Sequence, residues 1–199
     1  QDHEANIGDW ERAAKNCAAL FRLWPVNPEN AELELATLET CLNENTKLIS
    51  LTHCSNIVGS INPINEIVSM AHAVGAKVVV DGVSYAPHSW PDVSELDVDA
   101  YSFSTYKTFG THQGVMYVKP EFMKLLSPQC HFYSSGYISS YLDAAGPDHA
   151  SIAALAGLAD FIEAVHQHHF TSQAESLQQK ASAVSNLLFQ HELSLCALF

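Results

Sequence analysis

Apolar positions along the chain switch between helical spacing and short unbroken runs, and that alternation predicts helices and strands in turn. Residues 9–20 have helical spacing, and residues 21–26, FRLWPV, form a short strand closed by Pro25. Ala36, Leu38 and Leu42 make a helix face, with Leu35 beside it. Residues 46–53, TKLISLTH, read as a buried strand. Within residues 61–74, Ile64, Ile67, Val68 and Ala71 share a helical face, and Gly75 stands where a helix ends. Residues 76–81, AKVVVD, are a continuous β-branched run, the pattern of a strand covered on both faces. DAYSFS (99–104) and GVMYVKP (114–120) are two further strands. After Ser127 the texture changes: SSGYISSY is loop-like, and helices follow at about 150–168 and 172–190. The last residues, LSLCALF, read as a strand that breaks off. Strands separated by helices predict an α/β fold, a three-layer, mostly parallel sheet with helices on both faces.

Composition narrows the function classes. Of 199 residues, 47% are hydrophobic and 16% charged, which describes a globular chain with a real core. Nine Lys and Arg against 22 Asp and Glu give a net charge of −13, so no basic stripe exists to meet nucleic-acid phosphates or an anionic membrane. No apolar run reaches the roughly 20 residues that span a bilayer. The five cysteines, Cys17, Cys41, Cys54, Cys130 and Cys196, are odd in number and widely spaced, without a C-x-x-C pair. They read as reduced thiols of a cytoplasmic protein. The chain starts at Gln1 and is expected to be a piece of something longer.

Ligands of open α/β sheets bind outside the carboxyl ends of the strands. Residues 46–53 deliver His53 there and, after Cys54 and Ser55, Asn56. AKVVVD delivers Asp81, with Gly82 after it for a tight exit, and DAYSFS delivers Ser104, Tyr106 and Lys107. Taken singly, Asp81 reads as a turn residue, Lys107 as a surface lysine and His53 as a packed, hydrogen-bonded histidine. Jointly they supply a carboxylate that calls for a cation and an amine that partial burial makes nucleophilic. Those are the two groups pyridoxal phosphate (PLP) requires: an imine-forming amine, and an acid partner for the pyridinium nitrogen. Cys54 is read as a small packed thiol, and HQHH (166–169) as a solvated helix end; no metal is expected.

NIVGSINPI, AHAVGAKVVVDGVSYAPH and DAYSFSTYKTFG with HQGVMYVK resemble the large domain of the class V aminotransferases, PLP-dependent enzymes of fold type I, and within them the cysteine desulfurase-like branch. The order and spacing carry the resemblance: Asp81 follows Asn56 by 25 residues and Lys107 follows Asp81 by 26. It implies a PLP-binding large domain at 1–150, incomplete at its N-terminus, and a helical segment at 151–199 leading into a truncated small domain. It implies that Lys107 carries the cofactor and moves the substrate α-proton, and that Asp81 pairs the ring nitrogen. His3, in DHEANIGDW, would stack on the ring and act in proton transfer. Asn56 and Ser84 would lie beside the ring oxygen, and Ser104 and Tyr106 would hold the phosphate.

The resemblance implies an enzyme acting on an amino acid, by cysteine desulfurase or selenocysteine lyase-like β-elimination. Transamination, epimerisation or a non-catalytic PLP-fold scaffold are the alternatives. It further implies a homodimer and a protein that accepts sulfur. The chain departs from the family pattern at three positions. Tyr106 stands where many desulfurases have histidine, Ser84 where they often have glutamine, and Gly146, in DAAGPD, where a threonine hydroxyl is common. The family's upstream phosphate loop would precede Gln1, and its carboxylate-binding arginine and loop cysteine would follow Phe199.

Overall fold

The computed structural model describes residues 1–143, 145–171 and 176–198. They divide into two compact units: residues 1–84, 92–102 and 116–124 form the first, and residues 85–91, 103–115 and 125–199 the second.

The first unit is built on strands β1 (Leu48–Thr52) and β2 (Lys77–Asp81), and on most of β3 (Ala100–Ser104) and β4 (Gly114–Val118). The sheet order is β1-β2-β3-β4. β1 pairs parallel to β2 with Thr52 opposite Asp81, and β2 pairs parallel to β3 with Asp81 opposite Ser102. Two hydrogen bonds fix β4 antiparallel to β3: Lys119 N–H donates to Asp99 O, and Thr105 N–H to Gln113 O. The sheet is therefore mostly parallel, as the alternating pattern predicts. Val78 and Val80 are fully buried while Val79 is only half-buried, so β2 hides one face more completely than its unbroken valine run implies.

Helices α1 (Gly8–Asn16) and α2 (Leu35–Cys41) precede β1, and α3 (Ile64–Ala73) forms the crossover to β2 and packs on it. Ile64, Ile67, Val68 and Ala71 are the buried face of α3, one stripe at helical spacing. Gly75 ends that helix with φ +81°, a left-handed conformation that glycine adopts without a Cβ clash. Its N–H donates to His72 O and that of Ala76 to Ala71 O, satisfying carbonyls at the helix end. Two short helices complete the unit, α4 (Val93–Leu96) and α5 (Pro120–Met123).

The second unit contains α6 (His149–Ala153), α7 (Ala156–His169) and α8 (Leu177–Cys196). α7 packs along α8, and Lys180 closes an ion pair of 2.8 Å with Glu163 between them. Residues 85–91 are tied to α8: Trp90 N–H donates to Ser185 Oγ, and His88 Nδ1 lies 2.8 Å from Glu192 Oε2.

Three expectations are corrected. Residues 21–26 form no strand: they run irregularly with Leu23 exposed, and β1, at the edge of the sheet, pairs with β2 alone. Residues 193–198 of LSLCALF form no strand either, since Leu193, Leu195 and Cys196 extend α8, and Phe199 lies outside the described residues. A capping box at Ser176 and Gln179 nucleates that helix, which then propagates to Cys196. The helix expected at 150–168 is interrupted near Ala154 and Leu155, and residues 172–175 of the last expected helix lie outside the described residues.

Candidate active site

Within the first unit the N-terminal segment lies across the carboxyl ends of β1 and β2. Asp2 Oδ2 accepts the Thr52 N–H at 3.0 Å, which joins the segment to the last residue of β1. Gln1 accepts from Ser55 and Ser60, so the turn carrying Asn56 is held by the same segment. Asn56 itself is exposed in that turn. His3 is exposed and caps a 3-10 turn (Glu4–Asn6), where its Nδ1 accepts the Ala5 N–H at 3.1 Å. With Nδ1 acting as acceptor, the neutral ring carries its proton on Nε2.

Asp81 is half-buried at the end of β2. Its Oδ1 accepts the Val83 N–H at 2.8 Å and its Oδ2 accepts from Asn6 Nδ2 at 2.8 Å. Sequence reasoning asked for a cation beside this carboxylate; within its own unit two neutral donors meet it instead. Each oxygen keeps acceptor capacity for a further donor. Ser84 is half-buried in the turn that follows.

His53 is not at the surface. It is buried, and its Nδ1 lies 2.9 Å from the Tyr101 hydroxyl. Burial lowers its pKa to about 4, so the ring is neutral at physiological pH and belongs to the core. Cys54 is half-buried, and burial pushes its thiol up, which disfavours the nucleophilic thiolate.

In the second unit, Ser104 ends β3 half-buried, and the 3-10 turn Thr105–Lys107 follows. Tyr106 and Lys107 are both exposed. Tyr106 stacks on His112 with ring centroids 4.6 Å apart, and Lys107 Nζ lies 6.0 Å from the Tyr106 ring centre. The expected partial burial of Lys107 is not found. Its turn is nonetheless firmly held: Thr105 is buried and donates its hydroxyl to Thr111 O and Gln113 O, and buried Thr108 donates to Thr105 O. Phe109, two residues on, has φ +68°, a conformation costing a non-glycine residue roughly 1–2 kcal/mol. Such strain persists only where surrounding contacts impose it.

The structure thus links His3 and Asp81 through one hydrogen-bonded segment, and places Tyr106 and Lys107 on one rigid turn. Asn6 and Asp2 were missed by sequence reasoning; Asp and Asn beside a helix start read as caps, and only that weak signal was present. Of HQHH, His166 is buried and stacked on Phe170 rather than solvated, while the His168 and His169 rings meet edge to face. Among the described residues no cluster suits a metal ion, and no helix is long and apolar enough to cross a membrane.

The model of the family Aminotransferase class-V matches residues 1–192. A cysteine desulfurase of Shigella sonnei (strain Ss046) is 41% identical over 128 residues, covering 64% of this chain and 31% of that protein. A cysteine desulfurase of Escherichia coli O9:H4 (strain HS) matches equally. The chain spans about a third of the length of these relatives. Among solved structures, the cysteine desulfurase CsdA of Escherichia coli superposes with a TM-score of 0.71 at 27% identity, covering 81% of this chain and 43% of CsdA. The cystine C-S lyase C-DES, in complex with its product cysteine persulfide, superposes with a TM-score of 0.58 at 26% identity, over 64% of this chain and 35% of C-DES.

Proposed function

The chain belongs to the class V aminotransferase family, and from that premise we propose that the protein is a PLP-dependent enzyme of the cysteine desulfurase type. One observation carries the reading: Asp81 ends β2 with its carboxylate held by two neutral donors and acceptor capacity to spare. A carboxylate held in that way is the acceptor a protonated ring nitrogen needs, and a mutant of C-DES has been solved with glycine covalently linked to its PLP cofactor.

The bound cofactor would supply an electron sink for the substrate α-carbon. Asp81 would pair with the ring nitrogen and keep it protonated. Lys107 Nζ would be the amine that holds the cofactor and would serve as the base for the substrate α-proton. Exposed His3 would stack on the ring and act in proton transfer through Nε2. Asn56 and Ser84 would lie beside the ring oxygen, and the Ser104 and Tyr106 hydroxyls would donate to the phosphate. We propose an amino-acid substrate, cysteine foremost, a sulfur-accepting protein, and a cytoplasmic homodimer in which residues 151–199 lead into a small domain.

The test is reconstitution. PLP added to the protein should give a yellow complex, and borohydride should fix the pyridoxyl group on the peptide containing Lys107. Lys107→Ala should stay colourless. A colourless wild-type protein overturns the reading. A scaffold without turnover is the second reading, favoured by Gly146, whose φ of +68° would strain the threonine that desulfurases commonly have there. Sulfide release from cysteine by the yellow protein decides between them.

A further inference from the structure

Asn6 has no role in the reading above, yet it touches the carboxylate at its centre. Its Nδ2 donates to Asp81 Oδ2 and to Asp2 Oδ1, both at 2.8 Å, so both amide hydrogens are engaged by carboxylates. Asp2 Oδ1 also accepts the His3 N–H at 2.7 Å, and its Oδ2 the Thr52 N–H at 3.0 Å. The other donor to Asp81 is its own turn, through Val83 N–H.

A carboxylate rotates about a broad two-fold torsion, and one donor leaves that rotation open. A second donor on the other oxygen fixes its plane. The ring nitrogen of a bound pyridine would meet Asp81 along one direction, so the plane of the carboxylate decides how good that hydrogen bond is.

We infer that Asn6 is a positioning residue: its amide sets the plane of the Asp81 carboxylate and joins it, through Asp2, to the segment carrying His3. The inference rests on the proposed role of Asp81 toward PLP. A purely structural Asn6 would support any ligand alike, whereas a residue acting through Asp81 matters only to a ligand with a ring nitrogen.

The affinities of the whole protein for PLP and for the 1-deaza analogue, whose ring nitrogen is replaced by C–H, should be compared by equilibrium dialysis. Asn6→Ala is expected to weaken PLP binding roughly tenfold, the usual worth of one hydrogen bond to a charged group, and to leave the analogue's affinity unchanged. Equal weakening of both compounds, or of neither, overturns the positioning role while the cofactor reading stands. Wild-type protein that binds neither compound overturns the cofactor reading itself, and the inference with it. Circular dichroism checks the variant's fold; if Asn6→Ala is unfolded, Asn6→Ser, one atom too short to reach Asp81, gives the same comparison.

Discussion

Gly82 lies against the phenol ring of Tyr101: a Cβ built on it would stand 2.1 Å from Cε1 and 2.3 Å from the hydroxyl oxygen. Tyr101 is fully buried, sits opposite Val80 in the β2–β3 register and meets His53 through its hydroxyl. Gly82→Ala should therefore displace the ring, break the His53 contact and cost about 1–3 kcal/mol in a urea titration. On a Tyr101→Ala background most of that cost should vanish, because the obstructing ring is gone. Additive losses would show that Gly82 matters for another reason.

His53 makes stability depend on pH. Its folded pKa of about 4 lies below the ordinary imidazole value of about 6.5, so the unfolded chain binds more protons between those values. The contribution is whole above pH 6.5 and is lost as pH falls toward 4, on the order of 3 kcal/mol in all. His53→Gln should flatten this part of the profile. NMR titration should place the His53 ring near pH 4; a midpoint near 6.5 would refute the burial argument.

A second buried group works in more acidic solution. Asp99 is fully buried immediately before β3, where burial alone would raise its pKa. Hydrogen bonds from His72 and Lys77 at 2.9 Å and from Val78 N–H at 2.8 Å, with the Lys77 charge, outweigh burial and hold the carboxyl below its usual range. A depressed carboxylate stabilises above its unfolded pKa of about 3.9 and loses that contribution as pH falls below it. Asp99→Asn should destabilise by about 2–3 kcal/mol at pH 7, with a smaller deficit at pH 3, measured by thermal melts.

The strap formed by the N-terminal segment has a local readout. Asp2 Oδ2 is the acceptor of the Thr52 N–H. Asp2→Ala should raise the exchange rate of that amide about tenfold, while amides of α3 keep their protection. Unchanged Thr52 exchange would mean the strap is dispensable for closing the end of β1.

Much of the fold is legible locally. The face Ile64, Ile67, Val68, Ala71 and the stop at Gly75 follow from a period of 3.6 and one left-handed residue. Asp81 and Lys107 are likewise readable, because strand ends in such sheets are where polar groups gather. Residues 21–26 and 193–198 depart from their expected strands because a short apolar run is ambiguous between states until a neighbouring strand or a helix start decides it. The exposure of Lys107 and the burial of His166 were out of reach, since burial depends on what other segments bring, whereas His53 is packed and hydrogen-bonded as expected.

Periodicity and residue chemistry alone determined that this chain builds a mostly parallel α/β sheet and sets a carboxylate and an amine at strand ends, since those features are written within a few neighbouring residues. Tertiary structure decided that β4 runs antiparallel to β3, that Gly82 exists to admit Tyr101, and that Asn6 reaches Asp81 across 75 positions. Each of these is a contact between segments far apart in the chain, and no local pattern encodes which distant partner a hydrogen bond or a ring will find.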